Sequence, residues 1–197
     1  PNLSSDDCRK TELWMRRIEP GTFTMGSPSG EIGRDTSATG ELQHQVTLTK
    51  PYYIGIFEMT QGQYKCITGN NPADRVIALD HPVNEISYDM IRGTNQGQNW
   101  PADNNVDSDS FIGVLRNKTG VVFDLPTEAQ WEYACRAGTV TPFNLEKSLD
   151  ATEANFYGHY PYEIEENYFN DSVLEARPGQ YRGETVEVGS FTPNAWG

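Results

Sequence analysis

Three cysteines, three histidines and one acidic stretch are the residues of this 197-residue chain whose types suit covalent or metal chemistry. Cys8, Cys66 and Cys135 form no CxxC pair and no metal-ligand spacing. The odd count allows one disulfide and one free thiol, or three thiols. A cysteine becomes nucleophilic where a cation or a helix N-terminus stabilises its thiolate. Cys66, between Tyr64 and Ile67, shows no such pattern and is expected to be a buried structural thiol. Cys135 is expected in the core, as a thiol or as half of a structural disulfide. His44, His81 and His159 lie far apart, and none has a second ligand at helical or hairpin spacing. They read as ordinary surface or loop histidines.

From Phe143 to Asp171 the chain carries seven acids and one lysine, interleaved with Tyr and Phe. Calcium takes six to eight oxygens from carboxylates, amides and carbonyls, so the acidic loop 146–171 is a candidate cation site. The alternative is a solvated acidic loop in which Asn155 makes a turn hydrogen bond. Trp131, Tyr133 and Trp196 are expected in the core rather than as an aromatic ligand platform. The glycosylation sequons at Asn2, Asn117 and Asn170 carry meaning only in a eukaryotic secretory protein. A net charge of −13 repels phosphate backbones, which argues against nucleic acid and against anionic membranes. No apolar run reaches the length of a membrane span, so membrane insertion is not expected. The chain begins at Pro1, and extracytoplasmic and cytoplasmic locations both stay open.

The elements that must position these residues are short. Residues 1–13 read as a polar arm and 14–197 as one domain. Residues 14–25 predict a strand, a turn at Pro20-Gly21 and a second strand. Gln45 to Thr49 alternates, with Val46 and Leu48 on one face, and Tyr52 to Phe57 follows as another strand. Thr60 with Gln63 is a capping box for a helix that ends at Gly69. Ser87 caps the next helix. Residues 92–106, RGTNQGQNWPADNNV, form an inserted polar loop, after which Asp107 or Ser108 caps a helix closing near Gly120. Thr127 and Gln130 make another box, opening a helix that Gly138 follows. A last strand is expected from Thr185 to Gly189. Eighteen glycines and twelve prolines among such elements indicate an irregular, loop-rich α+β fold with short antiparallel strands.

Several of these words, in this order, resemble the formylglycine-generating enzyme (sulfatase-modifying factor) family. Ile18 to Gly26 (IEPGTFTMG) resembles the family's opening "PGGxFxMG". Residues 44–64, HQVTLTKPYYIGIFEMTQGQY, resemble "HxVxLxxFxIxxxEVTxxQY". His81 to Tyr88 resembles "xPVxxVSW", with Tyr88 where Trp is usual. Leu125 to Thr139 is similar to "LPTEAEWEYAxRGG", and Ala154-Asn155-Phe156 and Val188 to Gly197 resemble the later "AN(F/Y)" and "VGSFxPNxxGL" words.

The resemblance implies a C-type-lectin-like fold carrying long loops. It implies an oxidase that converts a cysteine of an unfolded sulfatase peptide to formylglycine, using oxygen and copper. In the family two cysteines near the C-terminus hold the copper and engage the substrate thiol, as soft thiolates select Cu(I). Relatives use a His-based iron site, and others have no known catalysis. This sequence stops at Trp196-Gly197, where the family continues into a "GNVWEW" word and then the cysteine-bearing segment. None of Cys8, Cys66 and Cys135 falls at those positions, so no catalytic residue is assigned. Cys135 matches a position where some relatives carry a cysteine that pairs with a C-terminal one. The resemblance also implies a structural calcium, held by the Asn155 side chain and the Phe156 carbonyl, with further ligands just before Val186-Glu187-Val188. Copper is implied only together with the missing C-terminal segment. The other function open to the sequence is a lectin-like display scaffold without catalysis. In either case the polypeptide is expected to be longer, or a second chain to complete the domain and cover its strand edges.

Overall fold

The computed structural model describes residues 6–31, 34, 40–145, 148–158 and 180–197. Its elements run α1 (Asp6–Lys10), β1 (Met15–Ile18), β2 (Gly21–Met25), β3 (His44–Leu48), β4 (Tyr52–Gly55), α2 (Gln61–Thr68), α3 (Tyr88–Arg92), a 3-10 turn (Gly97–Asn99), α4 (Phe111–Thr119) and α5 (Glu128–Arg136). This is α+β with short strands and long connections. The chain divides into two compact units. Unit 1 comprises Pro1–Met15, Gly55–Thr127 and Glu184–Ser190; unit 2 comprises Arg16–Ile54, Glu128–Gly183 and Phe191–Gly197.

In unit 1 the helices start where side-chain oxygens meet orphan N–H groups. The Thr60 hydroxyl accepts the Gln63 N–H at 3.2 Å, and Gln63 Oε1 accepts the Thr60 N–H at 3.0 Å, closing the expected capping box. Gly69, at φ 81°, ends α2 in the left-handed conformation. Ser87 caps α3 as expected. α4 is capped by Ser110, whose hydroxyl accepts the Gly113 N–H at 3.2 Å, not by Asp107 or Ser108. The Asp107 carboxylate is occupied elsewhere, as described below.

The core of this unit joins α2 and α4 through Tyr64, Ile67, Phe111, Ile112 and Leu115, with the Tyr64 and Phe111 rings stacked at 4.9 Å. Cys66 is exposed, contrary to expectation. It sits about 200° round the helix from Tyr64, off the buried stripe that Tyr64 and Ile67 define. Residues 70–83 are tied down by the fully buried Gln61. Its Nε2 donates to the Val76 carbonyl at 2.8 Å, and its Oε1 accepts from Asn71 Nδ2 and the Ala78 N–H. Within the segment read as an arm, α1 meets α2: Gln63 Nε2 donates to the Glu12 carbonyl, and Lys10 pairs with Asp80. The strand expected from Thr185 to Gly189 is not formed. The Val188 N–H goes to the Asp80 carbonyl, the Ser190 hydroxyl donates to Glu187, and Gly189 at φ 73° turns the chain before a ladder can start.

In unit 2, β2 and β3 pair antiparallel, with Gly21 opposite Leu48 and Met25 opposite His44; β1 pairs with β4. Val46 and Leu48 face the same way, as the alternation predicts, and are half-buried. α5 rests on β2 through the Phe23–Tyr133 ring pair at 5.1 Å. Glu132 Oε1 accepts the Gly26 N–H at 2.9 Å, while Arg136 donates to the Gly26 carbonyl and pairs with Glu132. At the other end of α5, Asn194 Nδ2 donates to the Ala134 and Cys135 carbonyls, which the helix itself leaves without partners. The Trp196 ring meets Tyr133 edge-on at 5.0 Å. Of the three aromatics expected in the core, Trp131 is exposed because it lies about 200° round α5 from Tyr133. Tyr52, half-buried, donates to the Gln130 carbonyl at 2.6 Å; burial, with a smaller push from Tyr133, raises its pKa to about 12.

Candidate functional site

The most elaborate polar construction among the described residues lies in unit 1, around the inserted loop. Arg92, the last residue of α3, is buried completely. Its Nε and Nη2 grip Asp124 at 2.8 and 3.0 Å, and Nη2 also donates to the Asn105 carbonyl at 3.1 Å. Nη1 donates to the Gly97 carbonyl and, at 3.3 Å, to the Tyr88 hydroxyl. The guanidinium lies over the Trp100 ring, 5.0 Å from its centroid. Burial alone would lower the Arg92 pKa. The bonds to Asp124 and Tyr88, with the charge of Asp124, outweigh it and raise the value. Asp124 also accepts from Arg116 at 2.8 Å and from the Leu125 N–H at 2.9 Å, so its carboxylate is saturated.

Asp107 holds the same loop from the other side. Its carboxylate accepts the Gln96 N–H at 2.8 Å, the Asn95 N–H at 3.0 Å and Asn95 Nδ2 at 3.2 Å. The backbone bonds from Gln96 and Asn95 hold its pKa below the usual carboxylate value, against an opposing effect of burial. The Asp107 N–H closes the loop onto the Arg92 carbonyl at 3.0 Å. Glycine is required at two points of this fold-back. Gly93 has φ 99° beside the Asp107 side chain, and a Cβ at Gly97 would collide with the Arg92 carbonyl. Residues 93–107 are therefore pinned through their backbone, while Thr94, Asn95, Gln96, Gln98, Asn99, Asn104 and Asn105 remain exposed.

Asp124 and Gln63 are also the polar edge of an apolar cavity of about 250 Å³ within unit 1, walled by residues such as Leu13, Met59, Ile91, Phe111 and Leu125. Both polar side chains already have partners, Gln63 with Thr60 and Glu12, Asp124 with two arginines. The cavity suits apolar groups and brings no acid, base or nucleophile to a substrate.

The residues singled out from sequence fall as follows. Cys66 is in unit 1 and exposed; Cys135 is in unit 2, half-buried and unpaired, with burial raising its thiol pKa. His44, in unit 2, bonds the Leu42 carbonyl at 2.8 Å; His81, in unit 1, bonds the Thr185 hydroxyl at 3.1 Å. His159, and residues 146, 147 and 159–171 of the acidic stretch, lie outside the described residues, as do Asn2 and Asn170. Asn117 is exposed near the end of α4. Asn155 is exposed and Phe156 half-buried in the segment after a turn closed by Asp150, whose carboxylate accepts from the Thr152 N–H and hydroxyl at 2.6 Å. Those bonds lower the Asp150 pKa. Among the described residues no three of His, Cys, Asp and Glu cluster as metal ligands. No helix among them is long and apolar enough to cross a membrane.

Sequence reading missed the Arg92–Asp124–Asp107 assembly. Its available signal was an arginine closing a short helix, followed by a glycine- and amide-rich loop ending in aspartate.

Residues 2–197 match the family described as the sulfatase-modifying factor enzyme 1-like domain. Compared with curated protein sequences, the chain finds no match. Among solved structures it is similar to PvdO from Pseudomonas aeruginosa, at 25% identity and a TM-score of 0.57, over 92% of this chain and 64% of that one. It is also similar to Treponema denticola variable protein 1, at 19% identity and a TM-score of 0.46, over 68% of this chain and 56% of that one. The chain thus spans less than two thirds of the length of either structure.

Proposed function

This chain belongs to the sulfatase-modifying factor family, and from that premise we propose that it is the folding frame of an oxidase that converts a peptide cysteine to formylglycine. The observation that carries the reading is the family match over residues 2–197, together with the bonding that joins the family's words to one another. Glu132 and Arg136 of "WEYACR" clasp Gly26 of "TMG", and Asn194 of "TPNAWG" caps the same helix. None of Cys8, Cys66 and Cys135 stands at a position where the family keeps its copper-holding cysteines, so no catalytic residue is assigned among residues 1–197. The substrate is an unfolded sulfatase-type peptide. Incubating the full-length, copper-loaded protein with a cysteine peptide and oxygen, then trapping aldehyde with a hydrazide, tests this; absence of aldehyde counts against it.

A structural calcium at Asn155 Oδ1 and the Phe156 carbonyl is part of the same proposal. Calcium at a hundredfold excess over its Kd then adds about 2.7 kcal/mol of stability. That raises Tm by roughly 5–10 °C, and Asn155→Ala abolishes most of the rise. An unchanged Tm on calcium addition removes the site.

A display scaffold is the second reading, favoured by the pinned amide-rich loop at 93–107, since a loop fixed on a rigid frame serves recognition without catalysis.

A further inference from the structure

We propose that the cavity of unit 1 is a binding site for a small, neutral, mainly apolar molecule of about two fused rings that presents one hydrogen-bond acceptor to the Tyr64 hydroxyl. Protein interiors are packed so closely that voids larger than a water molecule are few. This cavity, at about 250 Å³, is roughly eight times one water's share of the liquid. An apolar cavity of about 150 Å³ already holds benzene, so two fused rings fit here. Leu13, Met59, Val83, Ile91, Phe123 and Leu125 pack against the core of α2 and α4 yet stay half-buried, and each of them lines the cavity. The wall is thus continuous with the core and drawn from several elements, which fixes its shape.

The polar groups on the wall decide the chemistry of the ligand. Trp14 Nε1 donates to Glu12 Oε2 at 2.6 Å, Gln63 is held by Thr60 and the Glu12 carbonyl, and Asp124 by Arg92, Arg116 and the Leu125 N–H. These three are satisfied within the protein. Tyr64 differs. It is 6% exposed and its ring is stacked on Phe111, another wall residue, yet its hydroxyl makes no hydrogen bond among the described residues. Buried polar groups are ordinarily paired, because an unpaired one forfeits the bonds it made to water in the unfolded chain. Burial also raises the Tyr64 pKa, so the group remains an O–H donor at neutral pH. It therefore selects an acceptor such as a carbonyl oxygen. A charged ligand is disfavoured. Asp124, the one charged side chain on the wall, is saturated, and an ion among aliphatic side chains loses its hydration without gaining a partner.

The test uses the full-length protein and two probes of one shape, 1-indanone and indane, which differ by the carbonyl acceptor. Neither copper nor a cysteine peptide takes part, so binding is read apart from aldehyde formation. Calorimetry should give saturable one-to-one binding of both probes, and none of indane-1-carboxylate. Tyr64→Phe keeps the ring and weakens 1-indanone about three- to tenfold, while indane stays within about twofold. The ligand-free Tyr64→Phe protein melts no lower than the parent, since no bond within the protein is removed. Val83→Phe puts a ring into the cavity and abolishes binding of both probes, and Leu13→Phe serves the same end should Val83→Phe fold poorly. Val122→Ala, exposed and off the wall, changes neither affinity. Undiminished binding in the folded phenylalanine variants overturns the proposal. So does a parent protein that binds neither probe, its cavity being taken by polypeptide. A Tyr64→Phe change that weakens both probes alike, or neither, overturns it as well.

Discussion

Replacing Arg92 with methionine keeps the stem of a fully buried side chain and deletes its charge and every donor. Two consequences have different weights. The Asp124 carboxylate keeps Arg116 at 2.8 Å and the Leu125 N–H at 2.9 Å, so it is not left as a naked buried charge. The carbonyls of Gly97 and Asn105 lose their arginine partner, at about 1–3 kcal/mol for each that stays buried. Breaking a buried pair from one side costs about 3–5 kcal/mol in general, and the surviving Arg116 contact puts this case near the lower end. For a chain of this length each kcal/mol moves Tm by roughly 2–4 °C, so a fall of roughly 6–12 °C is expected. Asp124→Asn should cost more, because it strands the buried Arg92 cation beside Arg116. Thermal and chemical denaturation of both single variants and the double variant give the coupling between the two side chains. A loss below about 1 kcal/mol for Arg92→Met, or zero coupling to Asp124, refutes the claim that this assembly holds the loop.

Further outcomes follow from neighbouring groups. Gly97→Ala forces a Cβ into the Arg92 carbonyl and destabilises by about 1–3 kcal/mol; wild-type stability would contradict the close approach. Asp107 has a depressed pKa in the fold, so its stabilisation is present above the ordinary carboxylate value and lost as pH falls below about 4. Hydrogen-exchange protection factors at Asn95 and Gln96, taken against the intrinsic rate at each pH, should therefore fall in acid, whereas in Asp107→Asn they are already low at neutral pH. Cys66, exposed, should react with iodoacetamide in the native protein well before Cys135, whose thiol burial holds in the protonated form. Equal rates for the two would place Cys135 at the surface.

The parts of the fold legible in the sequence were those encoded within a few residues. The Thr60–Gln63 box, Gly69, and the alternation of Val46 and Leu48 act through local backbone geometry, and they appear where expected. The last strand failed because its N–H groups are claimed from a distance: Val188 bonds Asp80, which no local pattern announces. Asp107 looked like a cap for the same reason, its true partners lying eleven and twelve residues upstream. Cys66 and Trp131 were misplaced because residue type outweighed helical phase. The Arg92 hub was not legible, since a lone arginine ending a short helix is ordinarily solvent-exposed and its burial depends on Asp124, thirty-two residues on.

The proposed formylglycine-type oxidase activity is tested most directly by incubating the copper-loaded, full-length protein with a cysteine peptide and oxygen and trapping aldehyde with a hydrazide. Aldehyde from the cysteine peptide, and none from the same peptide with serine in place of cysteine, is the expected result. No aldehyde from the cysteine peptide would contradict the proposal.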